Sequence, residues 1–327
     1  MQTPKALFAA FALLAALAQA APAHSQTYPS RPITMVVAFP AGGPLDAIGR
    51  VIAEPMRASL GQPVLIENVS GAAGSLGVGR VARAAADGYT LSLGIWSTHV
   101  VNGAVYALPY DVLHDFEPVA LLTNVPLLIV ARKSMPANDL KGLIAWLRAN
   151  QATATWGTQG VGSPSHIGGV FFQNIIRTNF RFVPYRGLAP AMQDLVAEQI
   201  DALLAPPDTA LPQLRAGRTK VYAVTAANRL AAAPDIPTVD EAGLPGFYFS
   251  IWTAIWAPKG TATDVIGRLN AAVVAALADP AARSRLADAG VEIFPREQQT
   301  PEALRAFHKA EIDKWWPIIK AANIAPD

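Results

Sequence analysis

The chain has 327 residues, 52% of them hydrophobic and 15% charged, and contains no cysteine. An apolar fraction this high excludes a disordered chain and favours two domains of ordinary size over one; the missing cysteine excludes disulfide frameworks, thiol nucleophiles, Cys-zinc sites and an N-terminal lipid anchor. Twenty-six Lys and Arg against 24 Asp and Glu leave a formal charge of +2 with no long like-charge run, so nucleic acid is not an expected partner.

Residues 1–25 read as a secretory signal peptide, with Lys5 near the start, an apolar stretch from Ala6 to Ala18, and a small-x-small exit at Ala18-Gln19-Ala20. The apolar run is shorter than the roughly 20 residues a spanning helix needs. No later stretch reaches that length without charge or proline, so an exported, soluble mature chain is expected.

Ile33 to Phe39 is an apolar, β-rich run ending in Pro40-Ala41-Gly42-Gly43, which predicts a buried strand entering a turn. Pro44 suits the first position of a helix carrying Leu45, Ile48, Val51, Ile52 and Met56, and Pro55 predicts a kink or a break in it. Val64 to Ile66 and Tyr89 to Leu93 are strand-like, and Gly71 to Gly74 leads into a helix with Leu76, Val78 and Val81. A second set follows: strands near Leu127 to Val130, Thr155-Trp156, Arg181 to Val183, Asp201 to Leu204 and Val221 to Thr225, with helices over 140–148 and 165–176. Phe249 to Ala257 turns apolar again, and two amphipathic helices, around Val265 to Leu277 and Leu304 to Ile319, close the chain. The alternation predicts α/β architecture with largely parallel sheets, and the lack of a low-complexity linker predicts domains that share hinge strands.

Two glycine-rich turns stand out, Phe39 to Gly43 and Gly157 to Ser163, each following a strand and opening a helix. Main-chain N–H groups at such turns favour an anion, and ligands of open α/β sheets bind at strand C-terminal ends. Asp46 fits either helix-terminus electrostatics or ligand contact. Ser163 and His166 are close enough in sequence to pair, but Gly160-Val161-Gly162-Ser163-Pro164 is not a nucleophile elbow and Ser163 also reads as a helix cap. No catalytic residue is therefore assigned. His99, His114, His166 and His308 have no metal-ligand spacing, and neither metal nor cofactor is expected. Trp96, Trp156 and Trp252 read as core or hinge packing, with one of them facing a ligand ring as the alternative.

Tyr28-Pro29-Ser30-Arg31-Pro32-Ile33, the Phe39 to Gly43 turn with Asp46, Leu60-Gly61-Gln62-Pro63-Val64, Ala85 to Thr90 and Asp115 to Val119 occur in this order. So do Gly160 to Ser163 with His166, Val183 to Gly187, Pro234 to Val239, Glu241-Ala242-Gly243 and Arg268-Leu269-Asn270. Together they resemble the Bordetella uptake gene (Bug) receptors, the TctC-like binding proteins of tripartite tricarboxylate transporters. The resemblance implies a monomeric, two-domain periplasmic binding protein of the Venus-flytrap kind that closes on a small carboxylate and delivers it to a membrane permease. It implies a first domain of residues 27–125 and 248–327 and a second of 126–247. Carried over by position, the ligand contacts are Phe39, Pro40, Ala41, Gly42, Gly43, Asp46, Trp96, Ser97 and Thr98 from the first domain, and Thr158, Gly160, Gly162, Ser163, His166, Tyr185, Pro207 and Asp208 from the second. An exported serine hydrolase and a receptor serving a signalling partner are the rival classes.

No Lys or Arg occurs in 39–46, 94–99 or 157–166, so a carboxylate there would rest on oriented N–H dipoles. This chain departs from the family pattern at Pro44-Leu45, where hydroxyl residues are common, at Trp96, and at Ala205 within Leu204-Ala205-Pro206-Pro207-Asp208. The departures make the expected site more apolar and point to an aromatic or extended carboxylate near Trp96.

Overall fold

The computed structural model describes residues 28–324, so the expected signal segment lies outside the described residues. Strand β1 (Ile33–Val37) is buried along most of its length, as its apolar run predicts, and pairs in parallel with β2 (Val64–Asn68) and β3 (Thr90–Ile95). Helix α1 (Pro44–Leu60) connects β1 to β2, and α2 (Ser75–Ala82) precedes β3. A short turn of helix, α3 (Asn102–Val105), leads to the long strand β4 (Phe116–Pro126).

The chain then builds a second sheet from β5 (Leu128–Arg132), β6 (Thr155–Thr158), β7 (Arg181–Pro184), β8 (Ala202–Ala205) and β9 (Thr219–Val224). Helices α4 (Leu140–Ala149), α5 (Pro164–Ile176), α6 (Leu188–Val196) and α7 (Pro207–Arg215) alternate with these strands. It returns to the first sheet through β10 (Ser250–Pro258), passes through helices α8 (Thr263–Ala278) and α9 (Pro280–Asp288), and adds β11 (Glu292–Ile293) before the closing helix α10 (Pro301–Ala321). The six-stranded sheet runs β11-β4-β10-β3-β1-β2 and the five-stranded one β7-β6-β8-β5-β9.

Two expectations are corrected. The sheets are mixed: among the described residues four strand pairs are parallel and five antiparallel. The cause is the path between sheets, because strands that leave one sheet and return to it lie antiparallel, as β4 and β10 do. Helix α1 also continues through Pro55 without a break, with Ile52 and Met56 on either side fully buried against the core. Among the described residues no single helix is long and apolar enough to cross a membrane.

Both crossings between the sheets pass through one buried residue. The chain leaves at Leu127, between β4 and β5, and returns over 225–249. Thr225, 1% exposed, donates its N–H to the Leu127 carbonyl at 2.9 Å, and the Leu127 N–H donates to the Thr225 hydroxyl at 2.9 Å. The same hydroxyl donates to the Phe249 carbonyl at 2.5 Å, and the Phe249 N–H donates to the Thr225 carbonyl at 3.0 Å. A Thr225→Val change keeps the shape and leaves buried main-chain groups without a partner, a loss of about 1–3 kcal/mol. Urea unfolding checks this: the midpoint should fall with an unchanged slope.

Aromatic packing ties α10 to both sheets. Trp315 meets Trp96 at 5.4 Å, Phe249 at 5.1 Å and Phe171 of α5 at 5.1 Å between ring centres, each edge to face. Glu311, one turn earlier, accepts the indole N–H groups of Trp252 at 2.9 Å and Trp315 at 3.1 Å, and burial pushes its carboxyl above the usual range.

Candidate functional site: a cleft between two glycine turns

The first turn is built around a buried carboxylate. Gly42 sits at φ +82°, a left-handed conformation that suits glycine, and its N–H donates to Asp46 Oδ2 at 2.9 Å. Arg50 Nε donates to the same oxygen at 2.9 Å, and Asn68 Nδ2 reaches Asp46 Oδ1 and the Phe39 carbonyl, both at 3.0 Å. Asp46 is 3% exposed and has protein partners on both oxygens, so it braces the turn instead of pointing a free carboxylate at a ligand. The Arg50 hydrogen bond, helped by Gly42 N–H and Asn68 and opposed by burial, holds its carboxyl down to about 2.

The second turn carries φ +109° at Gly160 and +74° at Gly162. The Ser163 hydroxyl donates to the Gly160 carbonyl at 2.7 Å and caps α5 by accepting from the His166 N–H at 3.3 Å. His166 Nδ1 accepts from the Gly162 N–H at 3.1 Å, its ring stands edge-on to Phe182 at 4.8 Å, and burial lowers its pKa. The hydroxyl proton and the ring nitrogen are thus each committed to the main chain, and no nucleophile–base pair forms. Ser165, fully in the helix, accepts from the Gln159 N–H at 2.9 Å and holds the turn from below.

Between the turns lies a cavity of about 280 Å³. Phe39, Ala73, Ser97, Asn102 and Tyr106 form its wall on the side of the first sheet, and Val161, Gly162, Ser163 and Pro164 form the other. Among the described residues no charged side chain lines it. A second cavity, about 500 Å³, opens against the other flank of the first turn, with Gly42, Gly43, Pro44 and Leu45 facing Pro206, Pro207 and Asp208.

The expected residues divide accordingly. Phe39, Ser97, Gly162 and Ser163 line the smaller cavity, and Gly42, Gly43, Pro207 and Asp208 the larger. Pro40, Ala41, Thr158, Gly160, His166 and Tyr185 line neither. Pro40 and Ala41 are the exposed tip of the first turn, whereas Thr158 is 1% exposed. Tyr185 donates its hydroxyl to Asp194 at 2.7 Å, and burial together with that carboxylate raises its pKa to about 12.

Two of the contacts carried over by resemblance are buried, and for Trp96 this bears out the core-packing reading over the ligand-facing alternative. Trp96 is 0% exposed and packs edge to face on Phe249 at 5.1 Å, so its indole belongs to the core and not to a cavity wall. Thr98 is likewise buried, and its hydroxyl donates to the Ile95 carbonyl at 3.0 Å inside the π-helical turn Ser97–Val101.

Sequence reasoning missed Ala73 and Asn102. Ala72 and Ala73 take φ of +47° and +52°, which glycine would announce and alanine does not. Asn102, 2% exposed, fixes that turn by donating to the Ala73 carbonyl at 3.0 Å and the Ser75 hydroxyl at 3.1 Å. No local motif signals such a pair across 29 positions.

The fold and cleft describe a solute receptor, and comparison with known proteins agrees. The chain belongs to the tripartite tricarboxylate transporter family receptors (TctC), whose family model matches residues 48–324. It is 39% identical over 302 residues to a protein of the TAR-I ttuE-ttuC' intergenic region of Agrobacterium vitis, covering 91% of this chain and 86% of that one. Among solved structures it resembles MatC (Rpa3494) from Rhodopseudomonas palustris with bound malate, at 39% identity and a TM-score of 0.73 over 89% of this chain and 100% of MatC. The periplasmic binding protein BugD is similar at 38% identity and a TM-score of 0.72, over 91% of this chain and 100% of BugD. The family is one of binding receptors, not enzymes.

Proposed function

We propose that this chain is a periplasmic receptor that holds a small carboxylate between its two sheets and hands it to the membrane subunits of a tripartite tricarboxylate-type permease. Its lobes are residues 27–125 with 248–327, and 126–247. They close by bending where Leu127, Thr225 and Phe249 are tied together. The observation that carries the reading is the uncharged cavity walled by both glycine turns. With no Lys or Arg on that wall, an anion is held by main-chain N–H groups and by the positive end of α5, which starts there at Pro164. MatC, with its bound malate, supports a carboxylate as the ligand class.

A thermal-shift screen of the secreted protein against dicarboxylates, tricarboxylates, acidic amino acids and aromatic acids tests it. A true ligand at a hundredfold excess over its Kd adds about 2.7 kcal/mol and stands clear of the panel. A panel that stays flat after unfolding and refolding, which frees any ligand retained through purification, overturns the carboxylate reading.

A further inference from the structure

The turn Ser97–Val101 places Ser97 and Val101 on the wall of the smaller cavity, with Asn102 just after it. It is π-helical: the Asn102 N–H closes it onto the Ser97 carbonyl, five residues back. Such turns are rare, cluster at functional sites, and persist where neighbouring structure holds them. Here the closing helix α10 does the holding. His308, 3% exposed, donates from Nε2 to the His99 carbonyl at 2.7 Å, and Trp316 Nε1 donates to the Val100 carbonyl at 2.9 Å. Two glycines make room for these contacts. The His99 ring lies flat on Trp256, 3.8 Å between centres, and a Cβ at Gly94 would come within 2.2 Å of it. A Cβ at Gly103 would meet the Trp316 ring at 2.8 Å. The same helix also reaches the other wall. Trp315 and the Lys314 ammonium rest on Phe171 of α5, at 5.1 Å and 5.0 Å, and α5 begins at the second glycine turn.

We propose that α10 sets the wall of the binding cavity, with His308 and Trp316 as positioning residues that act through the π-helical turn. The inference rests on reading the smaller cavity as the ligand site, and adds residues remote from its lining that shape it. Each ring N–H satisfies a main-chain carbonyl at the turn, and losing either leaves a buried acceptor without that donor. Relaxation of the turn towards α-helix then pairs its carbonyls one residue earlier and rotates the residues around it about the helix axis. Ser97 and Asn102 no longer face one cavity after such a rotation. Because α10 also packs on α5, the register of both walls depends on one helix.

The test exploits the absence of cysteine from the chain. Ser97→Cys puts a single thiol on the half-buried turn, and its rate of reaction with Ellman's reagent reports how firmly the turn is held. Urea unfolding checks that each variant is folded. Trp316→Phe and His308→Leu each remove one donor and should raise that rate about two- to tenfold, the scale of one hydrogen bond. His308→Gln keeps an N–H donor and should restore the slow rate. Leu304→Val, at a fully buried position of the same helix, should leave the rate unchanged. With Ser97 intact, calorimetric titration with malate, succinate and benzoate should show weaker binding in Trp316→Phe and His308→Leu, and recovery in His308→Gln. Equal acceleration in Leu304→Val means general loosening, and the inference falls. It falls too if neither variant that lacks a donor changes the rate, or if the rates rise while the affinities hold. If no acid binds the wild type, the carboxylate reading falls alone, because the thiol rate still decides the positioning role.

Discussion

Asp46→Ala should cost about 2–4 kcal/mol of stability and remove ligand binding with it, because the substitution strips a buried acceptor from several donors at once and an acid from a helix start. Gly42 N–H loses its partner, Asn68 Nδ2 loses one of its two, and Arg50, already half exposed, returns to water. The consequence reaches the cleft, since the Asp46–Gly42 bond holds the turn that divides the two cavities. Asp46→Asn keeps the shape but offers an amide where two donors converge on Oδ2, so it should fall between wild type and alanine. The pH dependence has a definite sign. The folded carboxyl titrates at about 2 against an ordinary value of 3.8, so its contribution is complete above pH 4 or so and is lost as the pH falls towards 2. Urea unfolding at steps from pH 5 to pH 2 should show that acid decline in the wild type and a shallower one in Asp46→Ala.

The parts of this architecture that were legible in sequence are those written in short-range chemistry. Pro44 opens α1 and Ser163 caps α5, each a local signal at a helix start. Strand β4 was not legible, although it sits inside the first sheet between β11 and β10. Its sequence contains Glu117, Pro118, Thr123 and Asn124, which hide the strand pattern, and the sheet absorbs the proline at a register irregularity where Pro118 lies opposite Trp256. Helix α9 was missed for a different reason: it is short and weakly amphipathic, and its start is marked locally only by Pro280 and by the Asp279 cap, which accepts from the Ala282 N–H at 2.8 Å. Missing α9 also hid Arg285, because a guanidinium far along the chain becomes a cavity residue only once the helix is folded onto the cleft. The core reading of Trp96 holds, and the ligand contact carried over to it by resemblance followed from ending the strand too early. Strand β3 runs on to Ile95, and the π-helical turn after it carries the indole inward.

Trp96→Ala should therefore act on the fold before it acts on any ligand. Removing a fully buried indole that packs on Phe249 and Trp315 should cost about 3–5 kcal/mol. Trp96→Phe is the informative companion, because among the described residues the buried indole N–H has no hydrogen-bond partner and phenylalanine discards that unsatisfied donor along with some volume. Its cost should fall well below that of Trp96→Ala, because only part of the ring volume leaves a cavity and the lost N–H was unbonded. The ring lies at a junction: Phe249 ends the return crossing, and Trp315 touches Phe171 on the far side of the cleft. On the proposed closure, a loosened junction acts on every ligand alike, so affinities for aromatic and aliphatic acids should fall by the same factor in Trp96→Phe. A loss confined to aromatic acids, in a variant as stable as the wild type, would instead put the indole against the ligand and require the cleft to close in a way that uncovers it.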